Sequence, residues 1–139
     1  MTLYTLVNIL KSVALSQPNV RMATDGSIYD KLNATNSVKY DVVHFSQTKH
    51  IEDEETDTYG FNIFYVSRLE DSLEDNRLQI QSIGKEVLGN ILRSFCENWG
   101  IDFPEILYYP YTQKFADLCA GCYCRVEIEV PKDLICADD

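Results

Sequence analysis

Little in this sequence points to covalent chemistry. No glycine-rich cradle of the GxGxxG or GxxxxGK[ST] kind is present, so nucleotide binding has no motif behind it. The run Cys119-Ala120-Gly121-Cys122-Tyr123-Cys124 invites a metal reading. A structural zinc site takes four ligands, commonly as two spaced pairs, and no second CxxC or HxxxH follows. The expectation is therefore no metal and no cofactor, with Cys122 and Cys124 acting as small apolar residues. The two histidines, His44 and His50, stand apart from any recognisable nucleophile elbow. No apolar run approaches the roughly 18 residues that a membrane-spanning helix needs. Met1–Tyr4 lacks the basic leader of a secretory signal, and a cytosolic origin with no membrane contact is expected. Basic residues are scarce as well. Twelve Lys and Arg against 22 Asp and Glu leave a net charge of −10 and a pI near 4.5. Cation contacts supply most nucleic-acid affinity, so this balance opposes a DNA grip. It does not oppose a wall along which DNA slides. Neither an internal repeat nor a low-complexity stretch is present.

What is there fits one domain. A chain of 139 residues, 45% hydrophobic and 24% charged, can bury a core without staples. The five cysteines are odd in number, which with a cytosolic origin argues for thiols rather than disulfides. Residues 1–131 read as the domain and 132–139 as a C-terminal tail. Leu3, Leu6, Val7, Leu10, Val13 and Ala14 recur at helical spacing, with Thr2 as a cap and Pro18 as a stop. Val20–Met22 reads as a short strand and Asp25-Gly26 as a turn. Beyond it, Ile28, Tyr29 and Leu32 are expected anchors of a surface segment.

The most telling feature is a long hairpin. Val38–Lys49 and Thr58–Leu69 read as strands, and five of the seven residues Ile51–Asp57 between them are acidic. Such a tip stands in water or faces a partner. In the second strand Tyr59, Phe61, Ile63 and Tyr65 share one face, yet Phe64 and Val66 sit on the other. Two partly apolar faces predict that one packs on helices and the other meets a subunit. Ser72–Trp99 carries the strongest helical stripe: Ile80, Ile83, Val87, Leu88, Ile91, Leu92, Phe95 and Trp99, with Gly100 as its stop. Gly84 and Gly89 inside it predict a close approach. Ile106–Tyr111 is β-like, with Pro110 marking an edge. From Cys122 to Val130 small or apolar residues alternate with Tyr123, Arg125, Glu127 and Glu129, the cleanest strand pattern in the chain. The predicted class is α+β: an antiparallel sheet with a long projecting hairpin and two main helices packed on one face.

The opening helix, then Val20-Arg21 and Asp25-Gly26-Ser27-Ile28-Tyr29, resembles small virion proteins of tailed bacteriophages infecting Bacteroides-type hosts. Thr58-Tyr59-Gly60-Phe61-Asn62-Ile63-Phe64-Tyr65 and Cys119–Val126 add to the likeness. It looks like the neck or ring proteins of crAss-like phages, and the element order is similar to the tail-terminator and head–tail connector family. The cysteine-rich last strand departs from that family's pattern. The resemblance implies a structural virion protein without an active site. It implies a homo-oligomeric ring of six or twelve copies, joining the portal to the tail and touching adjacent portal, neck and tail proteins. Genomic DNA would pass through the lumen without sequence-specific binding, and the protein would be made in the host bacterial cytoplasm. Candidate interface residues are Glu52, Asp53, Glu54, Glu55 and Asp57 of the tip, with Tyr108, Tyr109 and Tyr111, since tyrosine combines apolar area with a polar end. Two other readings stay open. One is a tail-tube or baseplate subunit of the same phage. The other is a small thiol-dependent cytosolic enzyme using Cys119–Cys124 with His44.

Overall fold

Thr2 starts the first helix, its Oγ1 accepting the Thr5 N–H at 3.1 Å. This satisfies one of the backbone donors that every helix start leaves open. The helix, α1, runs Leu3–Leu15 and buries Leu6, Leu10 and Ala14, a narrow stripe as its spacing predicts. The computed structural model describes residues 2–27, 40–69, 74–101, 103, 105–114 and 118–132. The other elements are β1 (Met22–Asp25), β2 (Val42–Glu52), β3 (Thr56–Arg68), α2 (Glu74–Trp99), β4 (Tyr108–Lys114) and β5 (Leu118–Pro131). The strands form one sheet in the order β1-β2-β3-β5-β4. The expected anchors Ile28, Tyr29 and Leu32 and the tail residues 133–139 lie outside the described residues.

The α+β class is as predicted, with one correction. The sheet is antiparallel except at β1, which pairs with β2 in parallel, Met22 opposite Val42 through Asp25 opposite Phe45. Gly26, at φ 105°, turns the chain away, and the stretch up to Asp41 is long enough to return it to the same end of the sheet. The short strand also lies further along than Val20–Met22, and Val20 is itself a core residue.

The hairpin is tighter than its pattern suggests. Its turn is only Asp53–Glu55, closed by the Asp53 N–H to the Thr56 carbonyl at 2.8 Å. A bulge between Gln47 and Lys49 lets Thr48 drop out of register. β5 lies along β3 over its whole length, from Thr56 opposite Pro131 to Arg68 opposite Cys119. The hairpin is therefore sheet rather than a free arm. What stays uncovered is its outer side: residues 47–55 are all exposed, whereas Tyr59 is buried.

Both helices cover one face. α2 buries Ile80, Val87, Leu88, Ile91, Leu92 and Phe95 against Phe61, Ile63 and Tyr65 of β3 and the alternating Cys122, Cys124, Val126, Ile128 and Val130 of β5. Ile83, expected in that stripe, is half-exposed, and Gly84 takes the seam instead. Gly100, at φ 65°, ends α2 with its N–H on the Cys96 carbonyl. On the opposite face a small cluster of Val42, Val66 and Cys119 is fully buried, with Met22, Tyr40, Phe64 and Tyr111 packed against it. Part of that second apolar face is thus covered by the chain itself. Among the described residues no helix is long and apolar enough to cross a membrane.

Candidate functional site

The five acidic residues of the hairpin end are not equivalent. Asp57 accepts from His50 Nε2 at 2.9 Å, and the His50 ring stacks on Tyr59 with centroids 4.5 Å apart. Burial, then the Asp57 and Glu52 carboxylates, push the Tyr59 phenol pKa upward. Glu52 lies 3.4 Å from Lys132 Nζ, and the Lys132 N–H holds the Glu55 carbonyl at 2.8 Å. Asp53 Oδ1 accepts the Glu54 N–H at 2.7 Å, which fixes the turn. Asp53, Glu54 and Glu55 have no cation partner among the described residues. The turn is therefore a rigid anionic point. Its base is pinned on the open face by the Lys49–Glu127 ion pair across Gly60, where a side chain would strike Thr48 and Lys49.

The three candidate tyrosines do not share a surface. Tyr108 faces α2: a Cβ on Gly89 would meet its hydroxyl at 3.2 Å, and Lys85 Nζ lies 6.0 Å from its ring centroid. Tyr109 points the other way, 39% exposed, stacked on Tyr123 with centroids 5.0 Å apart. Tyr111 turns inward across Gly121, where only a glycine fits, and donates its hydroxyl to the Tyr65 carbonyl at 2.9 Å. Burial, reinforced by Cys119 and Cys122, drives its phenol pKa far up. Tyr111 is structural, while Tyr109 and the flank of Tyr108 remain open to a partner.

Beside Tyr108 lies a groove that sequence reading missed. It holds about 670 Å³ between α2 and β4 and is lined by Ser82, Lys85, Glu86, Gly89, Asn90, Arg93 and Tyr108. Lys85 and Arg93 are exposed and make no ion pair among the described residues; Arg93 only donates to Asn90 Oδ1 at 2.8 Å. In sequence they read as a solvated helix face. Only the arrival of β4 beside them makes a groove.

The thiols and histidines do not converge. Cys122 and Cys124 point into the helix-covered core, where burial pushes their pKa values to about 11 and about 12. Cys119 faces the other side of the sheet, 3.5 Å from the Tyr40 hydroxyl. His44 is fully buried on that side, with both ring nitrogens engaged. Nδ1 accepts from the Thr24 hydroxyl at 2.6 Å, and Nε2–H donates to the Gly26 carbonyl at 2.9 Å. A nucleophilic cysteine needs a lowered pKa and an adjacent base, and Cys122 and Cys124 have neither. Among the described residues no group of three or more His, Cys, Asp or Glu could hold a metal ion. Compared with known families and curated proteins, the sequence matches no family model and no curated protein.

Proposed function

We propose that the chain is a structural subunit that forms a ring in the neck or tail of a tailed bacteriophage, joining portal to tail and lining the channel through which DNA passes. The observation that carries the reading is the uncovered outer half of β2 with its turn. Residues 47–55 are exposed together, the turn is held rigid, and among the described residues no strand pairs with the outer edge of Ser46–Glu52. A stiff edge without a partner is a liability in a solitary protein and a connector in an assembly. Where this edge and turn meet a different surface of the next copy the contact is heterologous, and heterologous contacts that close make rings. The resemblance to crAss-like phage neck and ring proteins supports the same reading, as does the net charge of −10, which keeps a channel wall from holding DNA. The test is imaging of the purified chain by electron microscopy with its symmetry counted. Closed rings are the expected result. A chain that stays monomeric at hundreds of micromolar overturns the reading.

A further inference from the structure

We infer that the acidic turn of one copy docks into the groove between α2 and β4 of the next, an inference that rests on the ring reading. Two cations, Lys85 and Arg93, line this groove against one carboxylate, Glu86, and neither is ion-paired among the described residues. In a chain of net charge −10 such a pair is unusual, and Asp53, Glu54 and Glu55 are its chemical counterpart. The two surfaces cannot meet within one copy. Tyr108 pairs with Cys124, and Cys124 pairs with Ile63. From Ile63 to Asp57 is six residues of β3, roughly 20 Å at about 3.3 Å per residue.

Shape agrees with charge. β4 begins at Tyr108, opposite Cys124, while β5 continues to Pro131. Between α2 and β4, Ile101, Phe103 and Ile106 pack against the core, so the open surface beside Tyr108 is the groove itself. A three-residue turn held by its own hydrogen bonds enters such a groove without first being ordered, which keeps the entropic cost of docking small. Lys85 and Arg93 then meet carboxylates over the Tyr108 ring, and Gly89 leaves room for them. Nucleic-acid phosphate is the competing occupant, and the acidity of the rest of the chain opposes it.

Charge reversal tests this directly, because every residue involved is exposed and outside the core. Variant one carries Lys85→Glu and Arg93→Glu. Variant two carries Glu54→Lys and Glu55→Lys and keeps Asp53, whose carboxylate holds the turn. Circular dichroism and thermal melts confirm folding first. Each variant alone is expected to associate about tenfold more weakly than wild type, or worse, in sedimentation velocity at about 0.1 M salt, where repulsion between whole chains is screened. Mixed in equal amounts they should assemble again, since the acidic turn of one fits the basic groove of the other and the basic turn fits the acidic groove. Damage to the fold cannot produce that rescue. A wild type that assembles together with variants that assemble equally well overturns the docking and leaves the ring. A mixture that stays apart overturns the docking as well. A wild type that never assembles removes both. Retention of a fluorescent duplex oligonucleotide by wild type, lost in variant one, would assign the groove to phosphate instead.

Discussion

Two glycines of α2 look alike in sequence and sit in opposite circumstances. A methyl group on Gly84 would lie 2.7 Å from the Tyr65 ring and 2.9 Å from Cys122 Sγ. The Tyr65 ring cannot swing aside, because its hydroxyl donates to the Asp41 carboxylate, which also accepts from Ser67. Overpacking of this kind costs about 1–3 kcal/mol, against roughly 1 kcal/mol gained from helix propensity. Gly84→Ala is expected to lower stability in urea unfolding. At Gly89 the nearest atom is the far end of Tyr108, at 3.2 Å, and that side chain can give. Gly89→Ala should be neutral or stabilising by up to about 1 kcal/mol. The buried thiols set a pH limit on the same core. Cys122 and Cys124 have folded pKa values of about 11 and about 12, above the ordinary 9.0. Their protonated form is favoured in the fold, so their contribution is complete below pH 9 and drains as pH rises through 11 and 12. Tyr65 and Tyr111, raised by burial, act in the same direction. Unfolding midpoints should be flat to about pH 9 and fall beyond it, with a shallower fall in Cys124→Ala.

At the scale of elements, one side chain ties β1 to β2 beyond their backbone pairing. His44 takes the Thr24 hydroxyl and gives to the Gly26 carbonyl, which also accepts from Ser46 at 2.8 Å. His44→Leu leaves buried Thr24 without that acceptor, a loss of about 1–3 kcal/mol. Amide exchange should quicken across Met22–Asp25 while β3 and β5 stay protected; uniform protection would show that β1 is held by backbone pairing alone. This strand was also the least legible part of the sequence. Met-Ala-Thr-Asp shows no alternation, and its parallel pairing follows from a long return path that no local pattern encodes. β5 was the most legible, because one face is core and the other wet, so every second residue declares its side. The α2 stripe was readable except at Ile83, which spacing put in the seam and the fold leaves half-exposed, while the close approach read at Gly84 is there. The acidic turn could be read from composition. The groove could not, as it exists only where β4 stops beside Lys85 and Arg93.

For the whole molecule the governing quantity is charge. Copies of net charge −10 repel one another at long range, while a turn seated in a basic groove attracts at short range. Salt acts on the two unequally. Screening reaches about 10 Å at 0.1 M and about 3 Å at 1 M, so diffuse repulsion between whole subunits fades first and contacts inside a groove fade last. Assembly is therefore expected to strengthen as salt rises from a few millimolar to about 0.1 M, then to weaken toward 1 M. Sedimentation velocity at constant protein concentration reads this as a maximum in the assembled fraction. In the variant with Lys85→Glu and Arg93→Glu the groove adds to the repulsion, so association should only rise with salt and show no maximum. A wild type that also strengthens steadily up to 1 M would mean that apolar surface, such as Tyr109 stacked on Tyr123, carries the contact between copies instead of the turn.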